Sequence, residues 1–379
     1  MRFGFISTFP PTMCGLASYT DSLARHIAEL DLPTPHVVRA REDGATLAAP
    51  TVQAHAIIVG DLVTGRTEDH WRLNSQFAQC DVVVIQHEFG IFGGEDGDNV
   101  LSVMHTLELP TIVVLHTVLA GPTPNQLRIV NEIGARAGSL VVMTDSAFTN
   151  LAGAYNVDMN KVSVIPHGVP VKTDPTRIPL TTVPGSILTW GLIGPGKGIE
   201  WGIMALSLVK DQFPDACYRV VGQTHPKVFE REGNEYLEML QRLAVELGVS
   251  DRVFFENEYL PLEELWNRID QAEIVLLPYD ARNQVTSGVL VEALAAGKPV
   301  VATAFPHALE LINDSNGIVV RHESPVDVAH ALAVVMVRQA EGLLTHPTES
   351  MLAVDHSWPT VAQKYYDLVL TQVMAPVLK

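Results

Sequence analysis

The chain has 379 residues, 47% of them hydrophobic and 18% charged. That mixture supports a large buried core and excludes disorder as the overall state. The formal charge of −18, from 43 acidic and 25 basic residues, excludes electrostatic attraction as the basis for binding a nucleic acid. A phosphate-bearing partner would have to be held by a local site.

At roughly 100 to 200 residues per domain, this length predicts two domains. Cys14, Cys80 and Cys217 are widely spaced and form no CxxC pair. That usage suits neither a disulfide scaffold nor a zinc site, and it predicts a reducing, cytoplasmic compartment.

In chain order, the first apolar run, residues 3–6 before Pro10-Pro11, is too short for the apolar region of a signal peptide and reads as a buried strand. Short β-branched runs follow at 36–39, 56–59, 81–87, 111–116, 140–144 and 162–165. Amphipathic stretches such as 16–30 and 124–137 lie between them, with apolar residues at three- and four-residue spacing. This alternation predicts βαβ units around a parallel sheet. Every apolar run is far below the roughly 20 residues that span a bilayer, so no transmembrane segment is predicted.

A Pro- and Thr-rich stretch, 170–185, interrupts the pattern and reads as a linker. It places one domain at 1–170 and a second at 183–357. Strand-like runs resume at 186–190, 218–221, 253–256, 274–277, 300–303 and 318–320, and a final helical stretch covers 358–374. The terminal segment 358–379 is expected to pack back on the first domain. The expected fold is therefore α/β, with two doubly wound domains facing across a cleft lined by strand-to-helix loops.

Two of those loops carry a phosphate signal. Gly191-Leu-Ile-Gly194-Pro195-Gly196-Lys197-Gly198 runs from a strand into a helix, and freed amides, a helix N-terminus and one lysine make an anion site. The ATPase loop pattern fails because Gly198 stands where a Ser or Thr should reach Mg²⁺, and the dinucleotide pattern fails at Ile199. A turn with a merely solvated lysine is the plain alternative to a diphosphate contact through Lys197.

The second loop, Gln284-Val-Thr286-Ser287-Gly288-Val289, opens a helix that Gly297 and Pro299 close. Thr286 or Ser287 is the expected N-cap. Glu292 lies one turn inside an otherwise apolar helix, where it is either an orphan polar group or a ligand contact.

This block resembles the EX7E region of retaining glycosyltransferases of family 4, which have the GT-B fold of two Rossmann-like domains. Lys197-Gly198 resembles the lysine-glycine pair of their phosphate loop. Pro11-Thr-Met-Cys-Gly15-Leu-Ala-Ser-Tyr19, Val164-Ile-Pro-His-Gly168-Val169-Pro170 and the terminal Trp358 segment extend the resemblance over nearly the whole chain. The resemblance implies that Glu292 accepts hydrogen bonds from the ribose of a nucleotide sugar. It implies that amides of Ser287, Gly288 and Val289 hold the diphosphate. Two departures stand out. The family's first Glu is Gln284 here, which implies altered sugar recognition, since a neutral amide still donates and accepts hydrogen bonds. Leu192 and Gly194 occupy the places where the family's companion arginine occurs, leaving Lys197 as the main cation.

In the first domain, Gly15 is either a simple helix start or, as the resemblance implies, a diphosphate contact. His116 ends a strand, and the resemblance assigns it to the donor sugar. His87 and Glu88 end another strand and are candidates for acceptor contacts, with Glu88 alternatively a buried cap. Asp96-Gly97-Asp98 has the spacing of a metal-binding DxD, but it reads better as a turn with Asp98 capping the next helix.

The expected activity is transfer of a sugar from a nucleotide-diphosphate sugar to a carbohydrate or other hydroxyl acceptor, with retention at the anomeric carbon and without a metal. A nucleotide-sugar 2-epimerase on the same fold, or a nucleotide-sugar-binding protein with weakened catalysis, are the rival readings.

Overall fold

A computed structural model describes residues 1–41, 51–170, 180–343 and 354–374. Residues 171–179 of the expected linker and 375–379 of the expected terminal segment lie outside the described residues. The chain divides into two compact units, Met1–Gly168 with Asp355–Lys379, and Val169–Val354.

The first unit runs β1 (Phe3–Ser7), α1 (Gly15–Ala28), β2 (His36–Arg41), β3 (Thr51–Val52), β4 (Ile57–Val63), α2 (Leu73–Gln76), β5 (Val82–His87), α3 (Asn99–Thr106), β6 (Thr111–Leu115), α4 (Pro124–Arg136), β7 (Ser139–Val142), α5 (Asp145–Ala154) and β8 (Val162–Val164). The second runs β9 (Ser186–Trp190), α6 (Ile199–Val209), β10 (Cys217–Val221), α7 (Pro226–Glu232), α8 (Glu235–Glu246), β11 (Val253–Glu256), α9 (Leu262–Gln271), β12 (Ile274–Leu277), α10 (Gly288–Ala295), β13 (Val300–Thr303), α11 (Pro306–Leu311), β14 (Gly317–Val320) and α12 (Pro325–Ala340). The chain then returns to the first unit as α13 (Trp358–Leu368), followed by a π-helical turn at Val369–Met374.

Among the described residues, the first sheet has the order β3-β4-β2-β1-β5-β6-β7-β8. Its pairings are parallel except β3 with β4. Every residue of β1, β5 and β6 is buried, because helices cover both faces of a parallel sheet and leave no side of a central strand for water. Continuous apolar runs are the sequence form of that condition.

The helix α13 buries Trp358, Val361 and Tyr365 in the same cluster as Phe3, Phe5 and Tyr19. Tyr365 and Tyr19 share a hydrogen bond of 3.1 Å between hydroxyls, and the Tyr19 ring meets Trp358 edge-on at 5.0 Å. Gly168 is small for a reason: a Cβ there would lie 2.2 Å from the Trp358 ring.

The second sheet, among the described residues, has the order β11-β10-β9-β12-β13-β14 with parallel pairings. Successive residues of its central strands alternate between two faces, as strand geometry requires. Ile187, Ile274 and Leu276 enter one apolar cluster, and Leu188, Val275 and Leu277 enter the other. No helix among the described residues is long and apolar enough to cross a membrane.

Both sheets reverse their direction of growth next to their first strand. In the first unit β2 and β5 lie on opposite sides of β1, and in the second β10 and β12 lie on opposite sides of β9. In open α/β sheets the crevice outside the strand ends at this reversal is where ligands bind. The loops that matter are those after β1 and β5, and after β9 and β12.

Candidate active site

In the second unit, β9 passes through Gly191–Gly198 into α6, and β12 passes through residues 278–287 into α10. The two loops interlock. The Asp280 amide donates to the Gly196 carbonyl at 3.0 Å, and the Trp201 indole N–H donates to the Asp280 carboxylate at 2.9 Å. Gly198 is left-handed, with φ of 63°, and a Cβ on it would lie 1.8 Å from the Pro278 carbonyl oxygen. A side chain at 198 would therefore strain the backbone and force the loops apart.

Lys197 sits in this joint. Its Nζ lies 4.5 Å from the centroid of the Tyr279 ring. Among the described residues it has no carboxylate partner. Burial pulls its pKa below the usual lysine value. A half-buried ammonium that is not neutralised by an acid is a costly arrangement, and an anionic ligand is the group that would offset it. The alternative of a merely solvated lysine does not hold: the side chain is packed on an aromatic face.

The start of α10 faces the same strand ends. Ser287 is the N-cap, and its hydroxyl accepts the Leu290 N–H at 3.3 Å. The amides of Gly288 and Val289 are first-turn donors that helical geometry leaves without an intrahelical acceptor. Ser287 departs from expectation. Its amide donates to Nδ1 of His307 at 2.9 Å, so it is already satisfied within the protein. Gln284 turns its side-chain amide back onto the Thr286 carbonyl at 3.1 Å. The Thr286 hydroxyl oxygen is buried without a hydrogen-bond partner among the described residues.

Glu292 is half-buried, and the Trp190 indole N–H donates to its carboxyl at 3.3 Å. Burial raises its pKa to about 7, and the Trp190 hydrogen bond only partly offsets that. Trp190 ends β9 and Glu292 lies on α10, so this contact ties the two sides of the reversal together. Of the places where the resemblance expects an arginine, Leu192 is half-buried and Gly194 buried, and neither supplies a charge.

In the first unit, α1 begins at Gly15 after Cys14, whose side chain does not cap the helix and instead lies 3.2 Å from the Thr8 hydroxyl. The first turn of α1 holds no acidic residue. Gly15 is exposed, and a Cβ there would meet nothing within 4 Å, so crowding inside the unit does not explain its small size.

Gln86 and His87 end β5, and His116 follows β6. The His116 Nε2 and the Gln86 side-chain oxygen are 2.7 Å apart, and Tyr19 meets the His116 ring edge-on at 4.9 Å. His87 is 0% exposed, and neither ring nitrogen has a hydrogen-bond partner among the described residues. Burial depresses its pKa to about 4. His116 falls to about 3, through burial first and then repulsion from His167 and His87. Both rings are thus neutral at ordinary pH. Glu88 accepts the Thr117 hydroxyl at 2.5 Å and its neighbouring Phe89 amide at 3.1 Å, while burial raises its pKa.

The Asp96-Gly97-Asp98 segment is a turn, but Asp98 does not cap α3. It occupies the N-cap position with helical dihedrals, so its side chain is not aimed at the first-turn amides. It pairs instead with Arg128 on α4 at 3.2 Å. Asp96 adopts φ of 53° and accepts from Asn125 and Gln126 at 3.1 and 3.4 Å. Both carboxylates fasten the loop to α4.

Sequence reasoning missed four residues of this arrangement: Tyr279 beside Lys197, Asp280 between the loops, Trp190 on Glu292 and His307 on Ser287. The aromatic and acidic partners stood within five residues of the motif segments and could have been flagged there. His307 carried no local signal.

Residues 184–337 match the family model described as glycosyl transferases group 1. A GDP-mannose-dependent α-(1-6)-phosphatidylinositol monomannoside mannosyltransferase of Mycolicibacterium smegmatis is 34% identical over 125 residues, covering 32% of this chain and 30% of that protein. A D-inositol 3-phosphate glycosyltransferase of Xylanimonas cellulosilytica is 28% identical over 257 residues, covering 62% of this chain and 57% of that protein. The chain therefore spans less than two thirds of the length of either relative. Among solved structures, a glycosyltransferase from Rickettsia africae superposes with a TM-score of 0.74 at 14% identity, covering 99% of each chain. Anabaena Alr3699/HepE in complex with UDP and glucose gives 0.65 at 17% identity, covering 100% of this chain and 99% of that one. The fold is that of these GT-B glycosyltransferases, with two Rossmann-like units.

Proposed function

We propose that the chain is a retaining glycosyltransferase that moves a hexose from a nucleotide-diphosphate sugar to a hydroxyl of a carbohydrate or related acceptor. The observation that carries this reading is Lys197: a packed ammonium without an acidic partner among the described residues, in the loop after β9 that interlocks with the loop leading into α10. The group 1 match over the same unit supports it. Retention rests on the family 4 resemblance.

In this mechanism the demanding charge develops on the departing diphosphate. Lys197 and the amides of Gly288 and Val289 would stabilise it from fixed positions, which is the most effective form of electrostatic catalysis because little reorganisation is needed as charge forms. With that charge covered by the chain's own groups, a divalent metal is not assigned a role. Glu292 is assigned to the ribose hydroxyls. Gln284, neutral where the family has a carboxylate, is assigned to the donor sugar.

The loops of the first unit carry separate assignments. The uncapped start of α1 at Gly15 suits an approaching phosphate oxygen. His116, neutral and held by Gln86, suits a sugar hydroxyl. His87 and Glu88 are assigned to the acceptor. The relatives named for inositol derivatives make a polyol or sugar hydroxyl the acceptor class to try first.

The test is incubation of the chain with UDP- and GDP-sugars, with and without sugar and inositol acceptors. Release of nucleotide that depends on acceptor, with a glycosylated product, supports transfer. An epimerised donor, or binding without turnover, contradicts it.

A further inference from the structure

The last residues of the loop that leads into α10 are held by His307 at two points. His307 is 2% exposed and lies in the first turn of α11, after β13. Its Nδ1 accepts the Ser287 N–H at 2.9 Å, and its own amide donates to the Gln284 carbonyl at 3.4 Å. Gln284 and Ser287 are the two ends of the loop whose last residues point donors toward the strand ends. The loop's internal bond, from the Gln284 side chain to the Thr286 carbonyl, closes on itself and fixes nothing relative to the sheet. His307 links both of those ends to α11, the helix after β13.

The chemistry of that attachment is specific. An imidazole that accepts at Nδ1 carries its proton on Nε2, so the ring presents one lone pair in a fixed direction. The donor is the N–H of the N-cap residue. Its direction sets the plane of the Ser287 peptide and hence where the next amides, those of Gly288 and Val289, begin. A buried N–H without an acceptor is costly, so losing the ring would let the peptide rotate to find another partner.

We propose that His307 is a positioning residue of the donor site, holding the Ser287 peptide so that the Gly288 and Val289 amides are set for a nucleoside diphosphate. This rests on the donor-site reading of the α10 N-terminus. It also accounts for Ser287: its amide orients the site and is not one of the phosphate contacts.

The test compares His307→Asn with His307→Leu. Asparagine keeps an acceptor at the δ position, whereas leucine fills similar space without one. UDP and GDP binding would be measured by calorimetry, with hydrogen exchange at the Ser287 amide and the melting temperature recorded on the same proteins. The expected result is that His307→Leu folds, exchanges its Ser287 amide faster and binds diphosphate about tenfold more weakly, the scale of one buried donor left unpaired. His307→Asn should remain near wild type in both. Equal weakening in the two variants, or wild-type or tighter binding by His307→Leu, overturns the role of His307 and leaves the donor site intact. A wild-type protein that binds neither diphosphate, while Ser287 still shows His307-dependent protection, overturns the donor-site reading on which the role depends.

Discussion

The ammonium of Lys197 lies 4.5 Å from the centre of the Tyr279 ring, and no carboxylate among the described residues neutralises it. An aromatic face attracts a cation by about 0.5 to 2 kcal/mol, less than the cost of withdrawing the charge from water. The ring therefore orients Lys197 without satisfying it. That leaves the charge available to a ligand, and the loop geometry around it yields the following expectations.

The close fit of Gly198 against Pro278 makes the loop intolerant of any side chain. Gly198→Ala should destabilise the second unit by roughly 2 kcal/mol or more, from left-handed strain and collision with a carbonyl that cannot retreat. Denaturant unfolding of the variant checks this. By contrast Gly15→Ala should fold as well as wild type, because nothing surrounds that position.

His87 and His116 are neutral in the folded first unit, with pKa values near 4 and 3, while the unfolded chain titrates near 6.5. As pH falls below 6.5 the unfolded state takes up protons that the folded state refuses, so stability is lost progressively toward pH 4. Unfolding followed in the first unit at a series of pH values should show this loss, and His87→Gln should flatten it.

Glu292 has the opposite sign. Its folded pKa of about 7 lies above the ordinary carboxylate value of 4.5, so the folded second unit keeps a proton that the unfolded chain releases. Its contribution is full below 4.5 and declines as pH rises to about 7. Glu292→Gln should remove that decline, measured as the difference from wild type at each pH.

If Lys197 and helix amides carry the leaving-group charge, exhaustive treatment with EDTA should leave turnover unchanged within about twofold. A loss of activity restored by Mg²⁺ or Mn²⁺ would show that a cation shares the work.

Much of this arrangement was legible in the sequence because the relevant signals are local. Strands such as Ser186–Trp190 and Ile274–Leu277 are continuous apolar runs, as a doubly covered parallel sheet demands, and their ends are where the glycine and Ser287 loops stand. The contacts that complete the site are not local. Trp190 reaches Glu292 across 102 positions of sequence, and His307 reaches Ser287 across 20, with no periodicity or spacing to announce either. Asp98 shows the converse failure. Its residue type favours a cap, but helical dihedrals and a nearby Arg128 turn the side chain elsewhere. The short strand β3, antiparallel at the sheet edge, is only Thr51–Val52 and is too brief to carry a pattern.

The most direct measurement is acceptor-dependent turnover of Lys197→Ala beside wild type, using whichever nucleotide sugar the wild-type chain consumes and confirming by circular dichroism that the variant folds. Removing a preorganised charge from the leaving group should lower kcat by about 10²- to 10³-fold. Turnover equal to wild type would contradict the account.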